Sequence, residues 1–320
     1  MDINKHILSK ESIVESHVNE SLKLKWTDAN FSKVFGLRNI AAHIFTIPSG
    51  YRSSEPHAEK CEEEFVFVLE GEIDLWLNGR IKTMKAGDCI GFPAGTGVGH
   101  CFINNSPNDV KIFVSGDRTK NENQCFFHLD PSLKEECGDF WWDNCPSQDL
   151  GEHKGWPGEV SKTEEDNFKK FYEGTSLMPI NSFDRLVPAS FSYPGDTETF
   201  GDGLCLSRLF KMESVAIWLE KLAPGKRSSW PHAHSKEEEF AYILKGKPHV
   251  WLDGSEYEVM EGDGIDFKAG SRVAHTLINN SDHDIYYLCV GECDPDGDQI
   301  FYPLHPLRNK EMKEKGLLWE

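Results

Sequence analysis

Residues 230–246 read WPHAHSKEEEFAYILKG, and a later segment of the chain carries His275. His232 and His234 are two positions apart, so their side chains point the same way if this segment is a β-strand. Glu239 follows them closely. Three imidazoles and one carboxylate that converge inside a barrel form a metal site with mixed nitrogen and oxygen ligands.

The spacing of these residues resembles that of the cupin family, whose fold is a metal-binding β-barrel. The first cupin motif is matched, with one extra residue after its first glycine, by Gly225, His232, His234, Glu239 and Gly246. The second motif is matched by Gly262, Gly270, His275 and Asn279. Lys268 stands where proline is usual, and the gap from Gly270 to His275 is two residues longer. The resemblance implies four metal ligands, His232, His234, Glu239 and His275.

The chain contains this pattern twice, with a constant offset of 175 positions. The matching pairs are His57/His232, Glu64/Glu239, Gly71/Gly246, Gly87/Gly262, His100/His275 and Asn104/Asn279. The resemblance is therefore to a bicupin, and it implies an all-β fold of two jelly-roll barrels in tandem with short helical tails. The expected domains are a lead-in (1–31), a first barrel (32–131), a connecting arm (132–206), a second barrel (207–306) and a tail (307–320).

Short strands and tight turns are also indicated by the residues themselves. Residues 65–69 and 240–244 are short apolar runs rich in aromatic and β-branched side chains, which favour strands. Asn78-Gly79 and Asp253-Gly254 follow short strand-like segments. These dipeptides predict two-residue hairpins, because the turn needs positive φ at both central residues.

The first barrel differs from the second at one ligand position. Glu59 occupies the place of His234, while His57, Glu64 and His100 match the pattern. One interpretation is that Glu59 is a fourth ligand, giving two histidines and two carboxylates, a set that suits Mn²⁺ or Fe²⁺. The other is that these residues form buried hydrogen bonds and ion pairs without a metal. Both interpretations stay open at this point.

Composition limits the classes of function. The 320 residues carry a net charge of −19, which argues against binding to nucleic acid phosphates or to an anionic membrane surface. The start of the chain lacks a basic region followed by an apolar run, so no signal peptide is expected. Nine cysteines show no CxxC pairs or disulfide-framework spacing. We therefore predict a reduced, cytoplasmic protein.

The resemblance implies a metal-dependent protein that acts on a small molecule. The metal is a divalent ion, with Fe, Mn, Ni and Zn all open. The leading hypothesis is an Fe or Mn dioxygenase that oxidises a small hydroxylated, ketonic or aromatic substrate in the second barrel. The alternatives are a redox-neutral lyase, decarboxylase or isomerase, and a non-catalytic small-molecule-binding or sensor protein, because one fold hosts many functions.

Other functional residues are less clearly indicated. No residue is assigned as a catalytic acid or base. Tyr242, Trp251 and Arg272 are weaker candidates for substrate binding, and Arg272 is included because a guanidinium can meet a carboxylate with two hydrogen bonds. The sequence also leaves open whether the chain forms a homodimer.

Overall fold

The computed structural model describes residues 6–9, 14–118, 122–159, 165–186, 192–293 and 295–320. The remaining residues, which include parts of the expected lead-in and connecting arm, lie outside the described chain. Strands account for 41% of the structure and helices for 13%, which confirms the predicted all-β class.

The first part of the chain consists of short strands with a few short helices. Its strands are β1 (Ile7–Ser9), β2 (Val14–Asn19), β3 (Leu24–Asn30), β4 (Ile40–Ile47), β5 (His57–Glu59), β6 (Glu64–Glu70), β7 (Glu72–Leu77), β8 (Arg80–Lys85), β9 (Asp88–Phe92), β10 (His100–Ile103), β11 (Val110–Asp117), β12 (Cys125–Phe127) and β13 (Ile180–Asn181). Its helices are α1 (Phe31–Phe35), α2 (Leu133–Cys137) and α3 (Glu165–Tyr172), with 3₁₀ turns at Glu20–Leu22, Gly138–Phe140 and Phe183–Arg185.

The second part repeats this organisation. Its strands are β14 (Asp202–Cys205), β15 (Val215–Leu222), β16 (Ala233–His234), β17 (Glu239–Lys245), β18 (His249–Leu252), β19 (Ser255–Glu258), β20 (Asp263–Phe267), β21 (His275–Ile278), β22 (Ile285–Glu292) and β23 (Ile300–Phe301). Its helices are α4 (Leu206–Leu209) and α5 (Pro306–Glu314). Among the described residues, no helix is both long and apolar enough to span a bilayer.

The strands form two barrels that exchange edge strands. The first barrel contains the sheets β13-β9-β6-β11-β4-β3-β2 and β12-β5-β10-β7-β8. The second contains β1-β20-β17-β22-β15-β14, β19-β18-β21 and β16-β23. The N-terminal β1 pairs with β20 of the second barrel, and β13, which precedes the second barrel, pairs with β9 of the first. Each barrel thus receives an edge strand from the segment that precedes the other barrel.

Both predicted hairpins are present. The turn between β7 and β8 has φ of 45° at Asn78 and 76° at Gly79. The turn between β18 and β19 has φ of 44° at Asp253 and 93° at Gly254. Positive φ at both central residues identifies the turn type that matches the twist of the paired strands.

An aromatic core joins the two barrels. Phe240 on β17 is fully buried, and its ring centroid lies 5.3 Å from that of Phe31 in helix α1 of the first half. The equivalent Phe65 on β6 lies 6.2 Å from Phe210, which follows helix α4 of the second half. One continuous cluster of buried side chains contains all four rings. Apolar burial therefore stabilises the pairing of the barrels as well as each barrel alone.

Two buried carboxylates add reciprocal polar contacts across the same interface. The backbone N–H groups of Arg38 and Asn39 donate to Glu238 at 2.9 and 2.8 Å. The N–H of Glu213 donates to Glu63 at 2.7 Å. Glu63 and Glu238 are themselves 175 positions apart. The side chains that precede the motif glutamates thus each satisfy backbone donors of the opposite half.

Candidate metal centre

Three histidines of the second barrel converge on one carboxylate oxygen, Oε2 of Glu239. The distances from Glu239 Oε2 to the histidine Nε2 atoms are 3.9 Å for His232, 3.8 Å for His234 and 2.9 Å for His275. Metal–ligand bonds of about 2.1 Å place neighbouring ligand atoms of an octahedral ion roughly 3 Å apart. One ligand atom each of His232, His234 and Glu239 lies within 4.8 Å of the others, a spacing that suits one divalent ion, and His275 approaches this set through its contact with Glu239.

Hydrogen bonds to the outer nitrogens orient two of the imidazoles. Nδ1 of His232 lies 2.8 Å from the Trp230 carbonyl oxygen, which can only accept a hydrogen bond. Nδ1 of His234 lies 2.6 Å from Asp298 Oδ2. Donation from Nδ1 leaves the Nε2 lone pair of His232 directed at the centre, the tautomer that a metal requires, and the contact with Asp298 turns Nε2 of His234 toward the same centre.

The electrostatics of His232 and Glu239 suit a cation. Burial, together with His275 and His234, lowers the pKa of His232 to about 3, so this imidazole is neutral and its lone pair is free. Burial raises the pKa of Glu239, but the hydrogen bond to His275 and the surrounding imidazoles outweigh it and hold this pKa well below its usual value. Both groups are thus in the protonation state in which a metal binds them. Burial lowers the pKa of His234, but the hydrogen bond to Asp298 and the nearby carboxylates outweigh it and raise this pKa to about 9, so a metal must displace a proton from this imidazole.

Three of the four residues, His232, Glu239 and His275, border a cavity of about 430 Å³. Its wall is mostly apolar and aromatic, with polar groups near the histidines. The lining residues are Phe200, Gly201, Gly203, Trp218, Glu220, Ser228, Ser229, His232, Glu239, Ala241, Phe267, His275, Leu277, Tyr287 and Cys289. This size and character are typical of sites for small organic molecules.

Glu220 and Tyr287 form a polar pair on the cavity wall, and sequence reasoning missed both. The Tyr287 hydroxyl donates to Glu220 Oε2 at 3.4 Å. Burial raises the pKa of Glu220 to about 8, and the Tyr287 hydrogen bond opposes this only in part. The first barrel has Phe45 at the position equivalent to Glu220. One signal in the sequence could have revealed Glu220: it is a carboxyl residue at an inward-facing strand position where the first barrel has an aromatic residue.

Tyr242, Trp251 and Arg272, the weaker candidates for substrate binding, do not line this cavity. Strand alternation explains Tyr242: Glu239 and Ala241 on β17 face the cavity, whereas Tyr242 packs in the core between the barrels. Trp251 lies on the opposite face of β18 from the core residues at 250 and 252.

Arg272 contacts the C-terminal tail instead of a ligand. Its φ of 60° places it in a left-handed turn, and its Nη2 donates to the Trp319 carbonyl oxygen at 3.3 Å. The guanidinium lies 4.9 Å from the centre of the Trp319 ring, a cation–π contact that holds the tail on the second barrel.

The first barrel brings together three of its four candidate residues. One ligand atom each from His57, Glu64 and His100 lies within 4.8 Å of the others, and His100 Nε2 is 3.4 Å from Glu64 Oε1. Glu59 is not part of this set. Its Oε1 accepts a hydrogen bond from Asn123 Nδ2 at 3.3 Å, and burial raises its pKa well above the usual value.

The two barrels differ at the His234/Glu59 position, and they also differ at the residue that hydrogen-bonds to it. Asp298 accepts from His234, and the equivalent residue, 175 positions earlier, is Asn123, which donates to Glu59. The Oδ1 atom of each partner accepts a backbone N–H, that of Lys236 at 2.8 Å in the second barrel and that of Cys61 at 3.1 Å in the first. Asp298 therefore accepts a hydrogen bond from His234, whereas Asn123 donates one to Glu59.

Asp298 is expected to support metal binding. In Asp298→Asn the atom facing His234 can become an amide donor, which cannot accept the Nδ1–H, so we expect metal affinity to fall about 10–100-fold. Competition with a chelator for Zn²⁺ or Mn²⁺ measures this. Asp296→Asn, the same change at an exposed position of the same loop, is the control. Equal affinities of Asp298→Asn and the unmodified protein would contradict the role of Asp298.

Comparison with known proteins agrees with the duplicated pattern. A family model described as a cupin domain matches residues 43–116 and again residues 218–291. No curated protein sequence matches the chain significantly.

The chain is similar in fold to solved oxalate decarboxylases. That of Lactobacillus farciminis, in complex with formate, has a TM-score of 0.58 and 16% identity, covering 97% of this chain and 90% of its own. That of Bacillus subtilis at pH 4.6 has a TM-score of 0.55 and 16% identity, covering 92% of this chain and 77% of its own. At this identity the likeness shows the fold alone.

Proposed function

We propose, from the premise that this chain belongs to the cupin superfamily and carries two cupin barrels, that it is a metal-dependent enzyme whose second barrel transforms a small organic molecule. The observation that carries the proposal is the convergence of three histidine Nε2 atoms on Glu239, beside a cavity of about 430 Å³ that His232, Glu239 and His275 line. A divalent ion there supplies a Lewis acid that polarises a carbonyl or stabilises an enolate.

The reaction that these residues support best is redox-neutral, of the lyase, decarboxylase or isomerase type. Such reactions need a group that gives or takes a proton beside the reacting carbon. Glu220 lines the cavity, and burial raises its pKa to about 8, so it holds a proton at neutral pH. Tyr287 orients the Glu220 carboxyl by its hydrogen bond. The fold likeness to oxalate decarboxylases is consistent with this reaction class but does not assign the substrate.

A dioxygenase is the second candidate. Four protein ligands leave two positions of an octahedral ion open, and the largely apolar wall suits an aromatic substrate. Turnover separates the two candidates. The redox-neutral enzyme converts its substrate under nitrogen with Mn²⁺, whereas the dioxygenase needs Fe²⁺ and consumes O₂. A screen of small carboxylic acids, diketones and phenols in both atmospheres, read by mass spectrometry, provides the test.

Glu220 should act as the proton donor. We expect Glu220→Gln to lower turnover about 10²–10⁴-fold, because the amide keeps the shape but cannot transfer a proton. In the unmodified protein, activity should fall as pH rises through the pKa of Glu220, since the acid form is then lost. The residual activity of Glu220→Gln should lack this alkaline limb. Glu258→Gln, at an exposed position on β19, is the control, and an unchanged alkaline limb in Glu220→Gln would refute the assignment.

A further inference from the structure

The charges that line the second-barrel cavity do not suit a small dianion. Two carboxyl residues, Glu220 and Glu239, line it, and no lysine or arginine is among its described lining residues. A divalent ion and the ionised Glu239 together carry one positive charge. A bound dianion would leave an uncompensated negative charge in a buried site, which is costly. A ligand that is neutral in solution and loses one proton on chelation would leave the centre neutral.

The shape of the cavity indicates an apolar body in the ligand. Phe200, Trp218, Phe267 and Leu277 contribute aromatic and aliphatic wall. The volume of about 430 Å³ lies within the range of roughly 300–1,000 Å³ that is usual for organic ligands. A small dianion without carbon–hydrogen surface would gain nothing from these side chains, whereas a planar ring would bury its faces against them.

The first barrel shows which residues create this space. The positions of Gly201, Glu220 and Leu277 in the second barrel are equivalent to Trp26, Phe45 and Phe102 in the first. The rings of Trp26 and Phe45 lie 5.8 Å apart and pack against the apolar core of the first barrel. Smaller or polar residues at the equivalent positions therefore line the cavity of the second copy.

The geometry points to an uncharged substrate with a planar apolar body and adjacent hydroxyl or carbonyl oxygens, selected in preference to oxalate-like dianions. Its oxygens face the candidate ligands, and its body lies against Trp218, Phe267 and Leu277. The Glu220–Tyr287 pair offers a donor and an acceptor to a further polar group. This inference rests on the metal site proposed above and specifies which molecules that site accepts.

Catechol and oxalate are a matched pair of probes. Both chelate a metal through two oxygens, but catechol is uncharged and aromatic, whereas oxalate is a dianion without apolar surface. Calorimetric titration of the Zn²⁺-loaded protein is expected to show catechol binding at least about tenfold more tightly. Metal analysis after each titration shows whether either probe has removed the ion. Oxalate binding as tightly as catechol, or more tightly, would overturn the inference.

A cavity-filling variant tests the position of the apolar body. Leu277→Phe introduces the residue that the first barrel has at this position, and it should weaken catechol binding at least about tenfold without loss of metal. Leu307→Phe, at a position that is 84% exposed, is the control. Tyr287→Phe removes only the hydroxyl and should weaken binding several-fold, which keeps the test decisive if Leu277→Phe does not fold. Unchanged catechol binding in the folded variants would place the ligand elsewhere.

Failure of the metal site can be told apart from failure of the substrate class. A protein that takes up no metal would refute the proposed function. Catechol titration of that metal-free protein and of its Leu277→Phe variant would still test where the apolar part of the ligand lies. If it lies against Leu277, the variant must bind catechol more weakly. Metal uptake combined with preferred oxalate binding would leave the proposed function intact and overturn only the substrate class.

Discussion

His232→Ala is expected to remove the metal and the activity of the second barrel. Its Nε2 is one of three imidazole nitrogens that converge near Glu239, and its Nδ1 is held by the Trp230 carbonyl oxygen. Loss of a mere hydrogen-bond partner of a ligand costs about 10–100-fold in metal affinity, so loss of a ligand itself should cost more. Metal content by mass spectrometry, measured beside turnover, checks both effects.

His57→Ala is the matched control, because His57 occupies the same motif position in the first barrel and makes the same Nδ1 contact, with the Glu55 carbonyl oxygen at 2.8 Å. We expect this variant to keep its activity. The metal content of the unmodified protein and of both variants shows how many barrels bind a metal ion, and which. Loss of activity in His57→Ala, with full activity in His232→Ala, would move the active site to the first barrel and refute the proposal.

Phe240→Ala should destabilise the whole chain. Its fully buried ring lies between the barrels, 5.3 Å from Phe31 and 6.4 Å from Phe113 by ring centroid. Truncation removes apolar burial and leaves a cavity that close-packed neighbours fill only in part, at a cost of about 3–5 kcal/mol. Because both barrels contribute to this core, we expect a lower unfolding midpoint for both together, measured by urea titration of tryptophan fluorescence.

Phe140→Ala provides the comparison, since the Phe140 side chain is 66% exposed and its truncation should change stability by less than about 0.5 kcal/mol. A small effect of Phe240→Ala, similar to that of Phe140→Ala, would show that the interface contributes little. Two separate unfolding transitions in the unmodified protein would argue that the barrels fold independently.

The fold and the metal-ligand candidates could be predicted from the sequence because their signals are local and occur twice. His232, His234 and Glu239 lie at the fixed spacing of the first cupin motif. The hairpin at Asn78-Gly79 depends on two adjacent residues. Because the motif occurs twice at a constant offset, it is not a chance match. The predicted pair of cupin barrels is confirmed. The ligand roles themselves remain predictions for the metal analysis.

Residues that act through distant contacts could not be found in this way. Asp298 reaches His234 across 64 positions, and no local motif marks it. Strand alternation places Tyr242 on the face of β17 opposite to Glu239, because the two residues are an odd number of positions apart. The pairing of the N-terminal β1 with β20 depends on how the two barrels are placed, which short-range patterns do not contain.

The reciprocal contacts of Glu63 and Glu238 have the form of an isologous interface, in which each partner uses the same patch against the other. Two identical one-barrel chains related by a two-fold axis would make every such contact twice. Covalent fusion keeps that arrangement but removes the constraint of identity. One copy can then hold Glu59 with Asn123 while the other holds His234 with Asp298. In a fused chain, the two halves can therefore change independently while the interface between them is kept.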